Sequence, residues 1–162
     1  FEVVKDPRVR ATDDDLREQF TWAKRAHDLL IRVHDAVVRL RDVRAQADAW
    51  AGRVQAQAVK DAARQLARAL THVEEELVQV RSDDPRMLPA KLNTRIATAM
   101  PLIEYSDSAP TAALRELVES LELRASMELA KLDRCLAEDV PPFNPACLEA
   151  GVSAIVPKAR TA

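Results

Sequence analysis

From Leu16 to Ala51 the chain has neither glycine nor proline, and this uninterrupted stretch constrains the fold more than any other feature. Apolar side chains recur along it at Leu16, Phe20, Ala23, Ala26, Leu30, Val33, Val37, Leu40, Ala47 and Trp50, at spacings built from threes and fours. That is the period of one helix face. Thr12 followed by Asp13, Asp14 and Asp15 supplies an N-cap, an acidic first turn facing the positive helix end, and a box-like T-x-x-D. Gly52 is the expected stop, because glycine takes the left-handed C′ conformation without steric cost. A first helix of about 35 residues, roughly 50 Å long, follows from the rise per residue. The chain has only two glycines, and aromatics make up 4% of it, so long helices are favoured over sheets throughout.

After a reversal at Gly52, Val54, Ala58, Ala62, Leu66, Ala69, Val73, Leu77 and Val80 predict a second helix ending near Arg81, where Ser-Asp-Asp-Pro85 breaks it. Leu88, Leu92, Ile96, Ala99 and Ile103 predict a short amphipathic segment with Pro89 in its first turn and Pro101 kinking or truncating it. Ser106-Asp-Ser-Ala-Pro110 is another break. A third long helix then starts at Pro110 and carries Leu114, Val118, Leu121, Ala125, Leu129, Leu132 and Leu136. Val140-Pro-Pro-Phe-Asn-Pro145 is expected to end it, leaving a turn or two around Ala146 to Ala150. The fold class is therefore all-α: an antiparallel up-down bundle of three long helices plus one or two short helical segments. Residues 1–10 read as the remnant of a preceding β domain and linker, because Phe1 to Val4 alternates like a strand before Pro7. Residues 11–156 are the bundle, and 157–162 a frayed tail.

Function classes narrow by composition. The formal charge is −2, so no global field draws the chain to nucleic acid or to an anionic membrane, and no apolar run is long enough for a membrane span. There is no Gly-rich phosphate loop, nucleophile elbow or C-x-x-C pair. The many acids carry no pocket signature that would assign them acid-base work. The expectation is no enzyme and no cofactor.

The most unusual pattern is a seven-residue echo: Arg25-Ala-His27-Asp28, Arg32-Val-His34-Asp35 and Arg39-Leu-Arg41-Asp42. Arg25, Asp28, Arg32, Asp35, Arg39 and Asp42 are expected as a solvated salt-bridge ladder down one stripe. His27, His34 and Arg41 project between the main apolar stripe and a second one made by Ile31 and Val38. These five residues form the candidate docking surface, for a parent-chain propeller or a protein partner. The histidines are expected to be partly buried and hydrogen-bonded. A metal site is disfavoured, since positions three before each histidine are Lys24, Ile31 and Ala69, not glutamates. The alternative class is a small-molecule or metal sensor with a pocket between helices near His27 or His34. His72 with Glu74, Glu75 and Glu76 reads as a solvated face. Cys135 and Cys147 could pair in an oxidising compartment, the other reading being two separate buried thiols.

Four runs carry a family resemblance: Phe1-Glu-Val-Val-Lys-Asp-Pro-Arg-Val9, His34-Asp-Ala-Val-Val-Arg-Leu-Arg-Asp-Val-Arg-Ala-Gln46, Glu74-Glu-Glu-Leu-Val-Gln-Val-Arg81 and Leu88-Pro-Ala-Lys-Leu-Asn-Thr-Arg-Ile96. Together they resemble the C-terminal region of large bacterial proteins with a sortilin-like, BNR-repeat β-propeller, often labelled glycosyl hydrolases. The resemblance implies that Phe1 to Val4 close a small β-sandwich, and that the protein is exported to the periplasm or beyond the cell. It transfers no catalytic or ligand-binding residue here, because any such residues would belong to the propeller. Pro101 and the two cysteines depart from the family's pattern.

Overall fold

The computed structural model describes residues 4–80, 88–149, 151 and 153–159. Every regular element among the described residues is helical. Residues 1–3 of the expected strand remnant lie outside the described residues, and Val4 is exposed and irregular.

Helix α1 spans Asp13–Arg53. Its start follows from the capping residues: the Asp15 amide donates to Thr12 Oγ1 at 3.1 Å, and the Thr12 amide donates back to Asp15 Oδ2 at 2.8 Å. Two orphan donors of the first turn are thereby satisfied. Its end departs from expectation. Gly52 lies inside the last turn, and among the described residues only Gly151 has a positive φ. The turn is made by Val54, an extended C-cap whose buried side chain joins the core.

Along α1 the buried positions Ala26, Leu29, Val33, Ala36, Leu40, Val43 and Ala47 alternate at spacings of three and four, with Val37 alongside. This is the a/d seam of heptad packing. It is rotated from the predicted stripe: Leu30 and Trp50 are only partly buried, and Phe20 is exposed. Helix α2, Gln57–Leu77, buries Val59, Ala63, Leu66, Leu70, Val73 and Leu77. The prediction placed Ala58, Ala62 and Ala69 inward. Turning the helix by one residue position buries Val59 and Leu70 in place of Ala58 and Ala69, which removes more apolar surface from water.

Arg41 reaches Glu74 and Arg44 reaches Thr71, so numbers rise on α1 as they fall on α2 and the pair is antiparallel. Val78, in extended conformation, ends α2 three residues before the expected Arg81, which lies outside the described residues. Helix α3, Leu92–Glu104, continues the same downward leg beside the N-terminal half of α1, where Gln19 Nε2 donates to the carbonyls of Ile103 and Ser106. It begins after Lys91 and not at Pro89, and it runs through Pro101 to end three residues later. Pro101 gives up the bond its amide would have made to the Ala97 carbonyl, and the helix ends within one turn of it.

Helix α4, Ala112–Glu138, is capped by Thr111, whose Oγ1 accepts from the Leu114 amide, so its start falls just after the predicted Pro110. Arg115 meets Glu18 and Arg25 meets Glu122, each pair 97 residues apart. That constant offset makes α4 parallel to α1. The bundle is thus α1 up, a two-piece leg of α2 and α3 down, and α4 up.

The third long helix ends at Glu138, just before Val140-Pro-Pro-Phe-Asn-Pro145 as expected, but that run is itself helical and opens helix α5, Val140–Glu149, earlier than the expected turn around Ala146. Pro141 and Pro142 fall in its first turn, where the amides they lack had no partner, while Pro145 lies inside the helix. Phe143 is driven fully into the core shared by α2 and α4. Of the expected tail, residues 157–159 are irregular and 160–162 lie outside the described residues.

Candidate functional site

Taking Ala26 as position a of the heptad, His27, His34 and Arg41 fall at b, and Ile31 and Val38 at f. At 100° per residue these positions lie roughly 130° and 170° from the centre of the a/d seam. α2, α3 and α4 all pack on the seam side, and all five side chains are exposed, Ile31 at 45% and Val38 at 56%. The structure therefore brings the five together on one outward stripe. Phe20, one heptad before His27 and 69% exposed, extends it. The histidines are open to solvent and not partly buried as expected, since no neighbouring helix reaches that far round α1. His27 has Asp28 at 3.6 Å. The hydrogen bond from Lys24 Nζ holds the Asp28 carboxyl below its usual value, with His27 adding to the effect.

The charge stripe does not act as a ladder along α1. Arg25 turns to Glu122 on α4, Arg39 to Asp133 on α4, Asp42 to Lys158 in the C-terminal segment, and Asp28 to Lys24. The g positions Arg25 and Arg39 flank the core seam, from which a long side chain spans to the neighbouring helix; cross-helix pairing at such positions is the coiled-coil pattern.

The reading of Glu74 as part of a solvated face is also overturned. Its side chain is 3% exposed and takes Arg41 Nε on Oε1 at 2.5 Å and Arg44 Nη1 on Oε2 at 2.6 Å. A buried carboxylate needs such partners. The signal was available in the spacing: Glu74 follows Leu70 by four and Val73 by one, beside the α2 seam, and α1 carries two arginines three apart opposite it. His72 is exposed. Arg41 thus belongs to two systems, with its guanidinium tied inward while half of the side chain remains on the outer stripe.

Cys135 and Cys147 are free and buried. Burial pushes the Cys135 thiol up to about 12, with the neighbouring Asp139 adding to it, and burial raises Cys147 as well. Both are therefore protonated, poor nucleophiles at neutral pH.

A cavity of about 90 Å³ lies between α2, α3 and α4, lined by Glu76, Leu92, Arg124, Met127 and Glu128. Two others, of about 210 and 190 Å³, are lined around Lys91 and around Phe143. None of these three linings includes His27 or His34. Among the described residues no three His, Cys, Asp or Glu side chains are grouped to hold a metal, and no helix is long and apolar enough to cross a membrane. Comparison with protein-family models, curated proteins and solved structures finds no match to this chain.

Proposed function

We propose that the chain is a non-catalytic interaction module of a larger exported protein, periplasmic or extracellular, bearing a sortilin-like, BNR-repeat propeller. It docks on that propeller or on a protein partner through the outer stripe of α1. The observation that carries this reading is the exposure of Ile31 and Val38, one heptad apart on a helix whose opposite face is fully used by the bundle. Covering what remains exposed of these two side chains contributes about 1 kcal/mol each. The flanking His27, His34 and Arg41 give the polar rim that interfaces carry around an apolar centre.

Hydrogen exchange and surface footprinting of the whole propeller-bearing protein, compared with this chain alone, test the reading. Ile31 and Val38 become protected in the larger protein, and Ile31→Asp with Val38→Asp abolishes the protection while the bundle keeps its helix content. Equal labelling of the stripe in both contexts removes the docking role.

A further inference from the structure

Beyond the α1 stripe, a second surface has the construction of a peptide site. After α5, Gly151 at φ 76° turns the chain, and residues 153–159 run without regular structure between α5 and α1. Two side-chain amides hold this segment by its backbone. Asn144 on α5 accepts from the Ile155 amide at 2.6 Å and donates to the Ile155 carbonyl at 3.2 Å. Gln46 on α1 accepts from the Val156 amide and donates to the Val156 carbonyl, both at 3.2 Å.

In an extended strand the N–H and C=O of one residue point to one side and those of the next to the other. Asn144 and Gln46 thus grip opposite edges of the same strand-like segment. Further along, Arg39 Nε donates to the Lys158 carbonyl at 3.3 Å, and Lys158 Nζ lies 3.2 Å from Asp42. From Gln46 to Arg39 is about 10 Å along the helix, and two extended residues span about 7 Å, so the two chains keep step in opposite directions.

Only one side chain of the segment is swallowed: Ile155 is buried in the core, whereas Val156 is 70% exposed. Everything else that is recognised is backbone, plus one basic group. We propose that this groove is a binding site for an extended peptide, with an aliphatic side chain in the Ile155 pocket and a basic residue three positions later. In the isolated chain the groove is filled by the chain's own residues 153–159, and a partner peptide enters by displacing them. The amides of Asn144 and Gln46 would serve any strand equally, because they read groups that every peptide has.

The test uses the full chain with Ile155→Asp, which evicts the resident segment, and a labelled peptide Ser-Ala-Ile-Val-Pro-Lys-Ala followed by fluorescence anisotropy. The peptide binds this variant at least about tenfold more tightly than the unsubstituted chain, where the tethered segment competes at a millimolar effective concentration. Asn144→Ala added to the variant weakens binding about tenfold, and a peptide with Asp in place of Ile does not bind. A variant with unchanged far-ultraviolet circular dichroism that fails to bind at millimolar peptide overturns the proposal. Should the variant not fold, amide exchange in the unsubstituted chain decides. Protection of Ile155 is lost with Asn144→Ala and that of Val156 with Gln46→Ala, and unprotected exchange of both amides at the outset overturns it. Neither arm involves Ile31 or Val38, so the result is independent of the docking stripe.

Discussion

The two halves of α1 are held by different physics. From Leu29 to Ala47 its seam lies in one continuous apolar core with α2, the start of α3, α4 and α5. Toward the N-terminus the buried set shrinks to Ala26, Ile103 and Val118, with Trp22, Ala23 and Met100 at the rim. There polar ties take over: Arg25 to Glu122, Arg115 to Glu18, and Gln19 to the carbonyls that follow Pro101. Apolar burial is cooperative over a whole cluster, whereas half-exposed ion pairs are screened and worth little each. The N-terminal end should therefore open at lower free energy than the rest of the bundle.

The largest expected effect tests that contrast directly. Leu40→Ala, in the continuous core, costs about 4 kcal/mol, while Ile103→Ala costs about 2, because the thin cluster around it can collapse into the space. Urea unfolding gives both numbers. Equal costs would erase the distinction between the two ends.

A second comparison sets one ion-pair system against another. Arg41→Ala with Arg44→Ala strands the buried Glu74 and costs about 3 kcal/mol, whereas Arg25→Ala, whose pair with Glu122 is partly solvated, costs less than about 1. Denaturation in high salt sharpens the contrast: the Arg25 contribution fades and the Glu74 system persists.

The smallest effects lie at the two tips of α1 and have opposite signs. Thr12→Ala removes the cap and costs about 1 kcal/mol. Gly52→Ala gains up to about 1 kcal/mol, since the site is helical and an added Cβ meets nothing within 4 Å. Loss of stability on Gly52→Ala, by thermal melting, would restore glycine's expected role as the helix stop. Acid also weakens the capped tip. Hydrogen bonds from the Thr12 hydroxyl and amide hold Asp15 below its usual 3.8. Its contribution is present above that pH and disappears as the pH falls through the lowered value. Amides of the first turn of α1 lose protection there before those around Leu40.

These contrasts also explain what could be read beforehand. The all-α bundle, its three long helices and the Thr12 cap follow from period and local chemistry, which act within a few residues. Phase was harder to read than period. Alanines adjoin the larger residues on both α1 and α2, so several stripes fit the sequence, and only the volumes of Leu29, Val59 and Leu70 choose among them once neighbours are in place. Pro141 and Pro142 break a helix or open one according to where it starts, which the local sequence leaves undecided. Glu74 was misplaced because its burial depends on two arginines about thirty residues away. The grouping of Ile31 and Val38 with His27 and His34 follows from their spacing, but the exposure of the histidines and of Phe20 does not, since it depends on how far round α1 the neighbouring helices reach.

The parallel alignment of α4 on α1 also governs the order of assembly. α1 and α2 meet through the three-residue turn Val54 to Ala56, so their hairpin closes almost locally. The ion pairs of α4 with the N-terminal half of α1, Arg25 with Glu122 and Arg115 with Glu18, instead each enclose a loop of 97 residues, whose closure entropy must be met before their contacts are gained. Refolding is therefore expected to close the α1–α2 hairpin first and to seat the last long helix later, in a groove that the rest of the chain has already built.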